Sequence, residues 1–333
     1  MNFLFIGLGS IGQRHLRNLY KISKNDKIYA YRRKFSTPSL NNKNKKINID
    51  LIKKYKINLI KSLSNLKKYK INAAFICTPS SKHAEEIIQL AKQNINFFVE
   101  KPICTSKKDL KKIKNLMKNK KIITMVGYQL KFNPIINFLK KKLIKIEKNL
   151  NFVQINHGES LKNFHPYENY KISYASNKKL GGGVILTQIH EFDYMRYLFK
   201  NFRVKKLLGI NLKLSNLKID VEDTVSSVFC LENSYKKIIC NINLNYYENP
   251  KNRTIKLILN NGVIVADLNK NLIHQNINGK KSKIKFRFQK NEIFLKEISY
   301  FYNCIKNKIK PDFNYSILND FKTVDLSLKL KSY

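Results

Sequence analysis

Gly7-Leu8-Gly9-Ser10-Ile11-Gly12 places three glycines at GxGxxG spacing directly after a short apolar run. That spacing suits the binding of a dinucleotide pyrophosphate. The first glycine permits a tight turn, the second lets the backbone approach the phosphates, and the third lets the following helix pack close to the strand. The helix that begins at Ser10 and Ile11 then turns free N–H groups toward the anion. The end of the second strand selects the cofactor. NAD enzymes tend to place an acid there for the ribose 2′-OH, but Tyr29-Ala30-Tyr31-Arg32-Arg33-Lys34 has none. Arg32 and Arg33 fall where a 2′-phosphate would lie, and guanidinium grips phosphate in bidentate fashion. The expectation is NADP in preference to NAD; two solvated surface arginines are the bland alternative.

The elements around these residues read as two halves. Over the first 125 residues or so, short apolar runs alternate with helical patterns. Strands are expected at Phe3–Ile6, Lys27–Tyr31, Ala73–Cys77, Asn96–Val99 and Ile122–Val126. Helices are expected at Ile11–Ile22, Lys82–Gln93 and Lys107–Lys118, with a polar loop over 35–50. Such alternation implies βαβ units on a parallel sheet. Beyond residue 127 the pattern changes. A strand at Phe152–Asn156 and one long helix between Gly183 and Phe199 precede strands at Val204–Leu214, Thr224–Leu231, Lys236–Tyr246 and Thr254–Leu259. Asn261-Gly262 signals a tight hairpin, and helices follow over 291–306 and 315–331. The fold class is α/β: an N-terminal Rossmann domain with a doubly wound parallel sheet over 1–126, and a C-terminal α+β domain over 127–333. The second domain has a large, mostly antiparallel open sheet, and its last helix is expected to return to the first domain.

Composition narrows the function classes. The net charge of +43 in 333 residues would suit a nucleic-acid binder. Only eight residues are arginine, however, and the lysines are spread along the whole chain with asparagine and isoleucine. No aromatic-interleaved basic cluster stands out, so drift toward AT-rich codons explains the charge better than nucleic-acid binding. The excess charge would still tolerate or steer an anionic ligand. No apolar run is long enough to cross a bilayer. The five cysteines form no CxxC pair, so neither zinc nor disulfides are suggested, and a cytoplasmic location is expected. His157, Glu159 and His165 fit no standard metal spacing, so no metal is expected.

Val99-Glu100-Lys101-Pro102, with the N-terminal GxGxxG, Thr78-Pro79 and His83, resembles the Gfo/Idh/MocA oxidoreductases, relatives of glucose–fructose oxidoreductase and inositol dehydrogenase. Gly127 to Pro134, including Gln129, looks like that family's passage into its second domain. Gly181-Gly182-Gly183, followed by His190 and Asp193, looks like its active-site helix. The resemblance covers nearly the whole chain and implies hydride transfer to or from the secondary alcohol or ketone of a sugar or sugar derivative, with surface-carbohydrate biosynthesis as a plausible setting.

The resemblance also implies site roles. Lys101 would contact both substrate and nicotinamide, and His190 would be the general acid or base. Hydride transfer at a carbon bearing oxygen requires a proton to move on that oxygen. Histidine titrates near neutrality, and an ammonium stabilises a developing alkoxide. Many relatives carry an aspartate four residues before this histidine, where Leu186 stands here. Thr187 stands three before, and Asp193 is expected to orient the imidazole from the other side. Thr78, Pro79, His83, Glu100 and Gln129 would lie at the cofactor, although His83 could equally cap or pack at its helix. Tyr174 and Thr187 would face substrate; Tyr167, Tyr170 and Tyr174 either line the pocket or cover the core edge. A homodimer or homotetramer is expected. Imine or C=C reduction on the same scaffold, and a non-catalytic NAD(P)-binding sensor or scaffold, are the rival functions.

Overall fold

The computed structural model describes residues 1–32 and 37–332. The first sheet comprises β1 (Asn2–Ile6), β2 (Lys27–Tyr31), β3 (Asn58–Leu59), β4 (Ala73–Ile76), β5 (Asn96–Glu100) and β6 (Thr124–Gly127). All its pairings are parallel and its order is β3-β2-β1-β4-β5-β6, the doubly wound order of a dinucleotide-binding fold. Its central strands are apolar on both faces because both are covered. α3 (Ser80–Lys92) and α4 (Lys107–Met117) bring Ile87, Leu90 and Ile113 to the face that carries Leu4, Ile6, Ile76 and Val99. The opposite face carries Phe3, Phe5, Phe75 and Phe98. There α1 (Ser10–Ile22) packs beside α8 (Lys290–Asn307). The Phe301 ring of α8 lies edge-on to Phe75 and Phe98, at 5.5 and 5.7 Å. A helix from the end of the chain thus completes the first core.

After the short α2 (Leu51–Lys54) and the helices above, α5 (Pro134–Ile146) leads into the second half. Its strands are β7 (Leu150–Gly158), β8 (Arg203–Leu212), β9 (Thr224–Glu232), β10 (Lys237–Asn245), β11 (Asn252–Leu259), β12 (Gly262–Asp267), β13 (Leu272–Ile277) and β14 (Lys280–Lys285). They form one open sheet in the order β14-β13-β12-β11-β7-β10-β9-β8, antiparallel except for β7 on β10. The inner face packs on the helices between the domains. The last helix, α9 (Ile317–Leu330), touches α4 and β6 as well as β8, so it does return to the first domain.

Three elements depart from the sequence expectation. α5 stands where no helix was expected, begun by the Asn133 side chain accepting from Ile135 N–H ahead of Pro134. β13 and β14 extend the sheet by two strands, in a lysine- and asparagine-rich stretch with little apolar alternation. The single helix expected over 183–199 is two: α6 (Val184–Thr187) and α7 (His190–Leu198). At the break, Glu191 N–H turns to the Gln188 carbonyl. This releases the Thr187 carbonyl from the helical ladder.

Candidate active site

The glycine turn forms as the spacing predicts. Gly7 has φ +91° and donates its N–H to the Tyr31 carbonyl at 3.1 Å, a conformation that disfavours any side chain. A Cβ at Gly12 would lie 2.4 Å from the Gly7 carbonyl oxygen, whereas one at Gly9 would meet nothing within 4 Å. Gly9 is the N-cap of α1 and offers no side-chain cap. Uncapped N–H groups at Ser10 and Ile11, above a space that a single Cβ would enter, fit a pyrophosphate. Ser10 Oγ donates to Asn44 Oδ1 at 2.9 Å, and Tyr167 reaches Ser10 from the second domain. Arg32 is half-buried at the end of β2, its guanidinium lowered by burial. Arg33 lies outside the described residues.

Lys101 and His190 come together across the two halves. Lys101 directly follows β5, and its Nζ donates to the Thr187 carbonyl at 2.5 Å, the group freed at the α6–α7 break. The ammonium is thereby fixed by a charge-assisted bond. Burial outweighs the nearby Glu100 and Glu191 carboxylates and lowers it to about 8. His190 opens α7, its ring edge-on to Tyr128 at 5.6 Å, with Nδ1 buried and without a hydrogen-bond partner among the described residues. Burial first, then the charges of Lys101 and Arg253, hold its imidazole well below the usual histidine range. At neutral pH the site therefore pairs a cationic lysine with a neutral imidazole. The expected titration of His190 near neutrality moves to Lys101.

Several expected site residues already have partners within the protein. Asp193 does not orient His190: its Oδ1 lies 2.8 Å from Lys131 Nζ, both side chains buried. Glu100 Oε1 lies 2.6 Å from the buried His15 Nε2. His83 has Nδ1 at the Pro102 carbonyl (2.7 Å) and Nε2 at the Thr78 carbonyl (2.8 Å), so it ties together the loops after β4 and β5. Thr78 Oγ1 donates to Glu86 Oε2 at 2.5 Å, and Pro79 caps α3. The Thr187 hydroxyl is spent on the Gly183 carbonyl (2.9 Å) and on the Tyr246 hydroxyl; the carbonyl of Thr187, rather than its hydroxyl, serves the site. Tyr174 is half-buried with its phenol pushed up by burial, near the His165 ring at 6.1 Å. Gln129 begins the 3-10 turn after β6. The glycine run lets backbones meet: a Cβ at Gly182 would lie 2.5 Å from the Ala175 carbonyl oxygen and 2.6 Å from that of Tyr174.

The sequence reading missed a supporting shell. Arg253 Nε donates to Glu191 Oε1 at 2.7 Å beside His190. His157 lies opposite Arg253 in the sheet register, lowered to about 4 by burial and then by Arg253. Behind His190, the Tyr128 hydroxyl donates to Asp320 Oδ1 at 2.7 Å. Arg196 of α7 donates to Thr323 Oγ1 at 2.6 Å and to the Asn319 carbonyl at 3.1 Å, both on α9. These links hold the histidine helix against α9. Glu191 was legible only as a buried acid next to His190, and Arg253 only as one of few arginines.

Burial raises Asp320 to about 7, far above an unfolded aspartate near 3.9. The folded chain therefore holds this proton more tightly than the unfolded one. The associated stability is complete below the unfolded value and is lost as pH rises through about 7. Asp320→Asn keeps an acceptor for Tyr128 and needs no proton. Its melting temperature should exceed the parent's at about pH 8, with the gap closing toward about pH 4. The same offset at both ends in thermal melts would show that the carboxyl is not the titrating group.

Comparison with known proteins agrees with this geometry. Residues 1–128 match the family described as "Oxidoreductase family, NAD-binding Rossmann fold". The scyllo-inositol 2-dehydrogenase (NAD(+)) of Bacillus subtilis (strain 168) is 30% identical over 130 residues, which are 38% of this chain and 35% of that protein. The 2,7-anhydro-N-acetylneuraminate hydratase of Mediterraneibacter gnavus is 26% identical over 129 residues, 38% of this chain and 33% of that one. The match thus spans about a third of the length of these curated relatives. A solved UDP-N-acetylglucosamine 3-dehydrogenase from Acidithiobacillus ferrooxidans aligns over 100% of this chain and 97% of that one, with a TM-score of 0.75 at 13% identity, which is a likeness of fold. Residues 1–128 thus match a family of NAD-binding Rossmann oxidoreductases, and the whole chain shares its fold with a solved dehydrogenase.

Proposed function

We propose that the chain is an NAD(P)-dependent oxidoreductase acting on the secondary alcohol or ketone of a sugar or sugar derivative. The observation that carries this reading is the Lys101 ammonium, fixed on the Thr187 carbonyl beside the buried neutral ring of His190. The bound nicotinamide would supply or accept the hydride. Lys101 would stabilise negative charge on the substrate oxygen. In oxidation the neutral His190 would take the hydroxyl proton, and in reduction its imidazolium would return one. The division of labour follows the packing: residues 1–126 bind the cofactor, and 127–333 supply His190 and the substrate wall, with α8 and α9 lent back to the first domain. Free cysteines throughout the described chain suit a reducing cytoplasm. The test is a panel of polyols, sugars and keto-sugars with each nicotinamide cofactor, following the absorbance of the reduced form. Cofactor binding without turnover on any of them would favour a sensor or scaffold. Product formed without net change in nicotinamide would favour a hydration or dehydration on the same scaffold, a reading encouraged by the relative named as a hydratase.

Arg32, with Arg33, is expected to read the 2′-phosphate of NADP. Replacing both by alanine should weaken NADPH binding about tenfold or more while sparing NADH, the loss expected for a charge-assisted contact. Equal losses measured by fluorescence titration of the two cofactors would reject the assignment.

The outer face of the second sheet is expected to pair with a second copy. Leu208 and Ile210 (both 65% exposed) and Leu212 alternate along the edge strand β8, beside Val228 of β9. The same strand's inner side is filled by α9, since a Cβ at Gly209 would strike Leu330 at 2.6 Å. An exposed apolar row on an edge strand is a liability in a monomer. Light scattering should give a dimer or tetramer, and Ile210→Asp should dissociate it. A parent protein that is wholly monomeric at micromolar concentration would contradict this.

A further inference from the structure

Four cations gather around Arg253, whose charge both Lys101 and His190 feel, with too few carboxylates to balance them. Lys290 opens α8, Lys251 and Arg253 stand at the start of β11, and Arg14 projects from α1. Lys251 lies 3.9 Å from Glu159, and Arg253 gives Nε to Glu191. Arg14 has only neutral partners: Asn291 Oδ1 at 3.1 Å, the Asn42 carbonyl at 2.8 Å, and the Phe294 ring beneath it at 4.8 Å. Four positive charges against the carboxylates of Glu159 and Glu191 leave a net charge of two positive.

Two features of this cluster point to a ligand. Arg253 leaves Nη1 and Nη2 without a hydrogen-bond partner among the described residues, so the forked end of its guanidinium is unused. Lys290 has no ion-pair partner among the described residues. It nevertheless stands in the first turn of an 18-residue helix, where the dipole adds positive potential. Burial and then Lys251 push its ammonium below the usual lysine range, with Arg14 and Arg253 adding to the repulsion. Such crowding of like charge disfavours the empty site and is relieved when an anion enters. Arg253 also joins the cluster to the chemistry, because both Lys101 and His190 feel its charge.

We propose that Lys290, Lys251 and the free fork of Arg253, with Arg14 behind them, form a subsite for an anionic oxygen group carried by the substrate, a carboxylate or a phosphate. The proposal rests on the oxidoreductase reading only in assigning the anion to a substrate. It makes the preferred substrate an acidic or phosphorylated sugar derivative rather than a neutral polyol. Arg253 supplies bidentate geometry, and the two lysines supply charge.

The test uses the full chain saturated with NADH, so that the glycine turn is already occupied. Acetate and inorganic phosphate are titrated separately by calorimetry against chloride at equal ionic strength. Saturable binding of one or both above chloride is expected, and the one that binds identifies the group. Lys290→Ala/Lys251→Ala should weaken it about tenfold or more, and Lys290→Glu should abolish it, with NADH affinity and the melting temperature unchanged. The proposal is overturned if neither anion binds above chloride, or if the variants bind as the parent does. It is also overturned if NADH affinity falls by the same factor, since the cluster would then serve the cofactor's pyrophosphate. Because the readout is binding, failure to find turnover in the substrate panel is a separate result that bears on the oxidoreductase reading alone.

Discussion

Lys101→Ala and His190→Ala should each lower kcat by about a hundredfold or more while leaving cofactor binding largely intact. The double variant should be little worse than the poorer single one. On the proposed reading the two groups would serve one substrate oxygen, so removing either would disable the unit. Their coupling is also electrostatic, since the Lys101 charge helps to hold His190 neutral. In the direction of alcohol oxidation, where neutral His190 would take the proton, the ammonium form of Lys101 is the active one. With its proton lost at about 8, kcat should fall as pH rises through that value. His190, held well below its usual range, should add no break near neutrality in the parent. In Lys101→Ala part of that repulsion is gone, and the histidine titration should move upward. A flat profile from about pH 7 to about pH 9 would remove the lysine proton from the mechanism. Full turnover in His190→Ala would point to Lys101, or to Tyr174, as the sole proton carrier.

The parts of this site legible in the sequence were those encoded locally. GxGxxG is a turn written in consecutive residues. The central strands of the first sheet announce themselves because both of their faces are apolar. The pairing of Lys101 with His190 was available through the resemblance. What escaped was set by tertiary contact. The break between α6 and α7 has no glycine or proline at residues 188–189 to announce it. It exists where the Gln188 amide reaches the Asn245 carbonyl at 3.3 Å and Lys101 takes the Thr187 carbonyl. Helical periodicity could only continue through it. Asp193 sits one turn from His190 in sequence, but Lys131, on the 3-10 turn after β6, offers it a buried cation, and a buried carboxylate is drawn to a cation before a neutral ring. Arg253 meets Glu191 across 62 residues, and Arg14 meets Asn291 across 277, so only the completed fold could place them together. The lysine-rich β13 and β14 lack the alternation that marks a half-buried strand, because they lie at the solvated edge of the sheet.

The glycine turn allows its two roles to be separated, and the second large effect is expected there. Gly9→Ala should leave the fold and its melting temperature almost unchanged, because the new methyl meets nothing within 4 Å and the backbone at φ −69° suits alanine. On the proposed reading, that methyl would enter the space kept for the pyrophosphate above the uncapped start of α1. Cofactor affinity should therefore fall by about a hundredfold, as a backbone-to-phosphate approach of roughly 3 Å cannot admit a methyl group. Gly12→Ala should do the reverse in order of cause. Its methyl would lie 2.4 Å from the Gly7 carbonyl oxygen and 3.2 Å from the Cys77 Cβ. Neither neighbour is the end of a flexible chain, so α1 must move off β1, at a cost of about 1–3 kcal/mol or more. Thermal melts should show that loss without any cofactor present, and the weakened binding would follow from it. If Gly9→Ala binds NADH and NADPH as the parent does, the turn is a structural element only, and the dinucleotide must be sought elsewhere on the chain.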